Sequence, residues 1–94
     1  MEEVLHYQCF VYPTEYRIVL KGRKFRPIAE LVFRRGEAGH QEIEGGLPKI
    51  LMGKDDYLRC IDMLRNESPI FIEAQPDGGT FYLHTADEPV GENE

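Results

Sequence analysis

The chain has 94 residues and 10.9 kDa, with 41% hydrophobic and 30% charged residues. That length holds one domain and not two, and the composition excludes a disordered polyelectrolyte. No apolar run approaches the roughly 20 residues that cross a bilayer as a helix, and a formal net charge of −6 opposes a general nucleic-acid coat.

Val4 to Tyr12, VLHYQCFVY, is rich in β-branched and aromatic residues and reads as a strand. Alternation puts Leu5, Tyr7, Cys9 and Val11 on one face and His6, Gln8, Phe10 and Tyr12 on the other. Pro13-Thr14-Glu15 is a turn, because Pro fixes φ and removes a ladder donor. Tyr16 to Lys21 is a second strand, with Tyr16, Ile18 and Leu20 facing one way and Arg17, Val19 and Lys21 the other. Lys21-Gly22-Arg23-Lys24 turns the chain on a permissive glycine. Ile28 to Arg34 is a third strand: Ala29, Leu31 and Phe33 form its apolar face, and Ile28, Glu30, Val32 and Arg34 its mixed one.

Gly36, Gly39, Gly45, Gly46, Pro48 and Gly53 punctuate the next stretch. His40 to Glu44 alternates as a short edge strand, and Gly45-Gly46 allows a tight bend. Leu47, Ile50, Leu51 and Met52 form an apolar patch that needs a cover. Lys54 to Asn66 is a helix, since Tyr57, Leu58, Ile61 and Leu64 make one stripe with Cys60 beside it. Asp55 and Asp56 suit its first turn and Arg65 its last, and Pro69 prevents continuation. Pro69 to Ala74 and Thr80 to Thr85 flank the turn signal Gln75-Pro76-Asp77-Gly78-Gly79 and read as a β-hairpin. The expected domain is 1–86, with an acidic flexible tail over 87–94. The expected fold is α+β. An antiparallel sheet of about five strands, three N-terminal and two from the C-terminal hairpin, carries the helix 54–66 on one face.

Seven of the eleven basic residues lie within 17–35, where Glu30 is the one acid, so this window carries +6 and the rest of the chain −12. Arg17, Lys21 and Arg34 fall on one side of a two-stranded ribbon, and Arg23, Lys24 and Arg26 crowd its turn. Such a ribbon can meet phosphates or carboxylates, with Arg offering a bidentate fork and Tyr16 or Phe25 a stacking surface. The same residues also suit a solvated strand face, where cations discourage edge-to-edge association.

The remaining chemistry is sparse. Cys9 and Cys60 form no CxxC, and His6, His40 and His84 have no zinc-type spacing. A site from His6, Cys9 and His84 would need the first and last strands to be neighbours. The glycine pairs match no phosphate loop. Glu42 and Glu44 share a strand face without a partner pattern. No catalytic residue, cofactor or metal is expected. Met1-Glu2-Glu3 is acidic where a secretory signal would be basic, so a cytoplasmic protein with reduced thiols is expected. The functional expectation is a non-catalytic interaction or regulatory protein that binds a protein partner or itself. Its contact residues would be Arg17, Lys21, Arg23, Lys24, Arg26 and Arg34. The alternative is a nucleic-acid-binding module that uses the ribbon from Arg17 to Arg35.

Overall fold

The structure is a computed structural model and describes residues 2–36, 40–74 and 81–86. It is α+β, as the sequence implies, but its strands form two sheets and not one. Among the described residues the order is β1 (Glu2–Val4), β2 (His6–Val11), β3 (Glu15–Lys21), β4 (Pro27–Arg34), β5 (His40–Glu44), β6 (Leu47–Gly53), α1 (Tyr57–Asn66), β7 (Ile70–Ala74) and β8 (Phe81–Thr85). The large sheet has the order β2-β3-β4-β6-β5, and the small one β1-β7-β8.

The first predicted strand divides at Leu5. Glu2–Val4 pairs with β7, whereas His6–Val11 pairs with β3. The Leu5 amide donates to the Lys21 carbonyl at 2.9 Å, so the segment stays extended across the change of sheet. The C-terminal hairpin forms as expected, with Ile70 opposite Thr85 and Ile72 opposite Leu83. It joins β1, Glu2–Val4, and not the large sheet. The predicted turn at 75–79 and the tail 87–94 lie outside the described residues.

The second departure is Leu47–Gly53, which is a strand and not a covered patch. Glu44 opposes Leu47 across Gly45 and Gly46, whose φ values of 60° and 81° match the left-handed pair of a type I′ turn. β6 then returns between β5 and β4 and runs parallel to β4, with Val32 opposite Leu51. The sheet is therefore mixed.

Ile18, Leu20, Ala29, Leu31, Phe33 and Ile50 line the inner face of the large sheet and are essentially sealed from water. Cys60 of α1 and Ile72 of the small sheet close this core, with Tyr57, Ile61, Leu64 and Leu83 packed around it. Tyr57 anchors the helix: its ring lies 4.5 Å from Tyr16 and 5.3 Å edge-on from Phe33. Ile28 also joins this core, against expectation. A register shift between Leu20 and Lys21 leaves Lys21 opposite Pro27 and Leu20 opposite Ala29, and the unpaired Ile28 turns inward.

Candidate functional site

The outer face of the large sheet follows from the register. Glu15, Arg17, Val19 and Lys21 of β3 face the same way as Glu30, Val32 and Arg34 of β4. Val32 and Leu51 are buried on this face, beneath the charged side chains around them. Arg17 lies directly opposite Val32. Its Nε pairs with Glu15, and its Nη1 reaches Glu30 at 3.3 Å. Arg34 Nε donates to the other Glu15 oxygen at 2.7 Å. Arg34, and then Arg17, hold the Glu15 carboxyl below its ordinary range despite partial burial. Glu15 in turn keeps Arg17 charged. The Arg17 guanidinium also lies 5.6 Å from the Tyr12 ring centre.

Two more of the six expected contact residues are also engaged. Lys21 Nζ donates to Gln8 Oε1 at 3.0 Å, and Arg26 Nη2 to Glu2 Oε2 at 2.7 Å. Arg23 and Lys24 differ. Both are exposed, and among the described residues neither side chain has an ion pair or hydrogen bond.

The tip that carries them is a strained turn. The Gly22 amide donates to Arg26 O at 2.8 Å, and the Phe25 amide to Gly22 O at 3.2 Å. Closing the loop this tightly puts Lys24 at φ 56° and Phe25 at φ 60°. A left-handed conformation costs an L-residue with a Cβ about 1–2 kcal/mol. Phe25 is 61% exposed, and its ring stacks on His6 at 4.1 Å and 23°. The tip thus presents an aromatic plane flanked by cations.

The fold brings Arg17 and Arg34 together but neutralises them, and it separates them from Arg23 and Lys24. Sequence reasoning missed Glu15, which reads as a turn residue. Its signal was parity: it lies two residues before Arg17, on the same strand face.

A second polar group lies on the small sheet, with Phe71 opposite His84 and Glu73 opposite Tyr82. His84 Nε2 is 2.9 Å from Glu73 Oε2, and its Nδ1 is 3.1 Å from its neighbour's carbonyl at Thr85. Tyr82 donates to the same Glu73 oxygen at 3.3 Å, and the carboxylate pushes the Tyr82 hydroxyl up. These side chains lie on a sheet face.

A composite of His6, Cys9 and His84, which the sequence already disfavours, does not assemble. His6 and Cys9 sit on opposite faces of β2, and His84 is in the other sheet. Among the described residues no group of three or more His, Cys, Asp or Glu could hold a metal ion. Burial, with the nearby Asp56 charge, pushes the Cys60 thiol up to about 11, so it is a packing residue. An open hollow of about 350 Å³ lies beside it, between Met52, Met63 and Leu83. Among the described residues no helix is long and apolar enough to cross a membrane.

Comparison with protein-family models, with characterised proteins and with solved structures gives no match.

Proposed function

We propose that this chain is a small non-catalytic interaction protein that docks on an acidic protein partner through the tip Arg23-Lys24-Phe25-Arg26. One observation carries the reading: Arg23 and Lys24, whose side chains have no ion pair or hydrogen bond among the described residues, immediately precede the exposed aromatic ring of Phe25. Unpaired cations steer an acidic surface into place, and the ring supplies the apolar contact at its centre. The acidic remainder of the chain disfavours a second negative partner elsewhere on the surface, which adds directionality.

The nucleic-acid reading needs a continuous cationic ribbon from Arg17 to Arg35. Its support is weaker, because Arg17, Arg34 and Arg26 are occupied by Glu15, Glu30 and Glu2. What favours it is the Phe25–His6 stack, a surface on which a base could lie.

The test is capture of partners from the native host by the wild-type chain and by Arg23→Glu/Lys24→Glu, with and without nuclease. The proposal expects a complex that survives nuclease and disappears with the charge reversal. A complex lost on nuclease treatment would replace it with the nucleic-acid reading. A complex indifferent to both treatments would remove the tip from consideration.

A further inference from the structure

The opposite side of the hairpin, β2, is an edge of the large sheet. Its bonding phase follows from the turn. The Tyr12 amide donates to Glu15 O at 2.8 Å, which makes 12/15, 10/17, 8/19 and 6/21 the bonded pairs with β3. The backbone N–H and C=O of Tyr7, Cys9 and Val11 therefore point away from the sheet. Nothing among the described residues pairs with them.

Edge strands are usually protected by a Lys, a Pro, a bulge or an inward charge. β2 carries no Lys, no Pro and no inward charge. The nine residues from Val4 to Tyr12 carry no acid and no Lys or Arg. The edge is also where the apolar surface collects. Of six exposed large apolar residues among those described, Leu5, Val11 and Tyr12 lie on or beside β2. Phe25 stacks on His6 of β2, and Leu58 lines the same hollow as Val11. Val11 is 72% and Leu58 74% exposed. Such a cluster along an open, uncharged ladder marks an interaction edge.

We propose that the edge is filled by a second copy of this chain. The two β2 strands run antiparallel about Cys9, and two five-stranded sheets become one continuous sheet. A two-fold contact must be self-complementary, and this register meets that condition. With Cys9 opposite Cys9 of the second copy, Tyr7 meets Val11 on the inner face. On the outer face Gln8 meets Phe10 and His6 meets Tyr12. The pairs include an aromatic with a β-branched residue and an aromatic with an imidazole, combinations that favour cross-strand packing. No like charges are opposed. The other edges fit a second copy less well. β5 carries Glu42 and Glu44, β1 carries Glu2 and Glu3, and β8 has Tyr82 as its one described exposed apolar side chain. The contact shares the Phe25–His6 stack with the tip, but its backbone ladder and its register about Cys9 belong to β2 alone.

The test is the mass in solution of the full chain by light scattering or sedimentation, across micromolar to millimolar concentrations. Val11→Lys is placed to weaken the pair without unfolding the monomer, since Val11 is solvent-facing there. It is expected to raise the dissociation constant roughly tenfold or more, by seating a charge in a closed ladder. The register has its own readout. Opposed bonded residues sit about 5.5 Å apart at Cα, within disulfide range. Mild oxidation is therefore expected to link the dimer through Cys9. The variant Cys9→Ser/Val11→Cys is expected not to link, because residue 11 would lie about 14 Å from its counterpart. A chain that stays monomeric throughout, or a dimer unaffected by Val11→Lys, overturns the proposal. Linkage at 11 and not at 9 overturns the register.

Discussion

Glu15 sits directly opposite Arg34 across β3 and β4 and accepts from its Nε at 2.7 Å, while its other oxygen takes Arg17. One carboxylate thus holds two arginines of the basic cluster, one of them opposite the buried Val32. The pairing turns what reads as a binding face into part of the sheet's own stabilisation.

That pairing has a pH signature. The Glu15 carboxyl is held down by Arg34 first and Arg17 second. A depressed carboxyl adds stability above the ordinary carboxylate range, and that stability is lost as pH falls through its folded value. Glu15→Gln is expected to cost about 1 kcal/mol at neutral pH, a modest figure because Arg34 is 40% exposed in its side chain. The gap between wild type and variant is expected to stay constant from about pH 6 to 8 and to close below about pH 4. Urea unfolding across pH measures it. A gap that widens in acid would reverse the assignment.

The strained tip makes the opposite prediction at one residue. Lys24 holds φ 56° with no side-chain partner among the described residues. Lys24→Gly removes the Cβ penalty and adds some unfolded-state entropy, so a net gain of about 0.5–1 kcal/mol is expected. Lys24→Val is expected to lose more than this, since a β-branched residue fits the left-handed region worst. Urea midpoints at an unchanged m-value would report both. In a partner-binding assay Lys24→Gly is expected to weaken the complex while it stabilises the fold, and that split separates a binding tip from a merely awkward turn.

How much of this was legible can be argued from particular residues. β3 and α1 announced themselves because each alternates apolar with charged positions, as Leu20/Lys21 and Leu64/Arg65 show, and in β4 the polar Glu30 and Arg34 still mark the outer face. β6 did not. Ile50 and Leu51 are both buried, one on each face, so the alternation that marks a strand is absent. The division at Leu5 has no compositional mark, and the parallel pairing of β4 with β6 is a non-local choice. For the site, the clustering of cations was visible. Their neutralisation was not, because it depends on which acid the register sets opposite each of them.

The core gives a calibrating prediction. Phe33 is fully buried between Tyr57, the strands beside it and the helix above. Phe33→Ala is expected to cost about 3–5 kcal/mol, enough to unfold a domain of this size at moderate temperature. Val11→Ala at the exposed edge is expected to lie within about 0.5 kcal/mol of wild type for the monomer. Equal effects at the two positions would contradict the layer assignment.

The two thiols are expected to differ sharply. Cys60 is 8% exposed, and its thiol is pushed up to about 11 by burial and by Asp56. At neutral pH its thiolate is on the order of one part in ten thousand, and it is shielded as well. Cys9 is exposed on the β2 edge. A thiol reagent added to native protein is expected to modify one cysteine quickly and the second only after unfolding, and Cys9→Ser is expected to abolish the fast phase. Two equally fast thiols would mean that α1 does not cover the core as described. The fast phase also reads the edge. If β2 pairs with a second copy about Cys9, the rate per thiol falls as protein concentration rises through the dimer range, and Val11→Lys restores it. A rate independent of concentration in a chain shown to dimerise would place the contact away from β2.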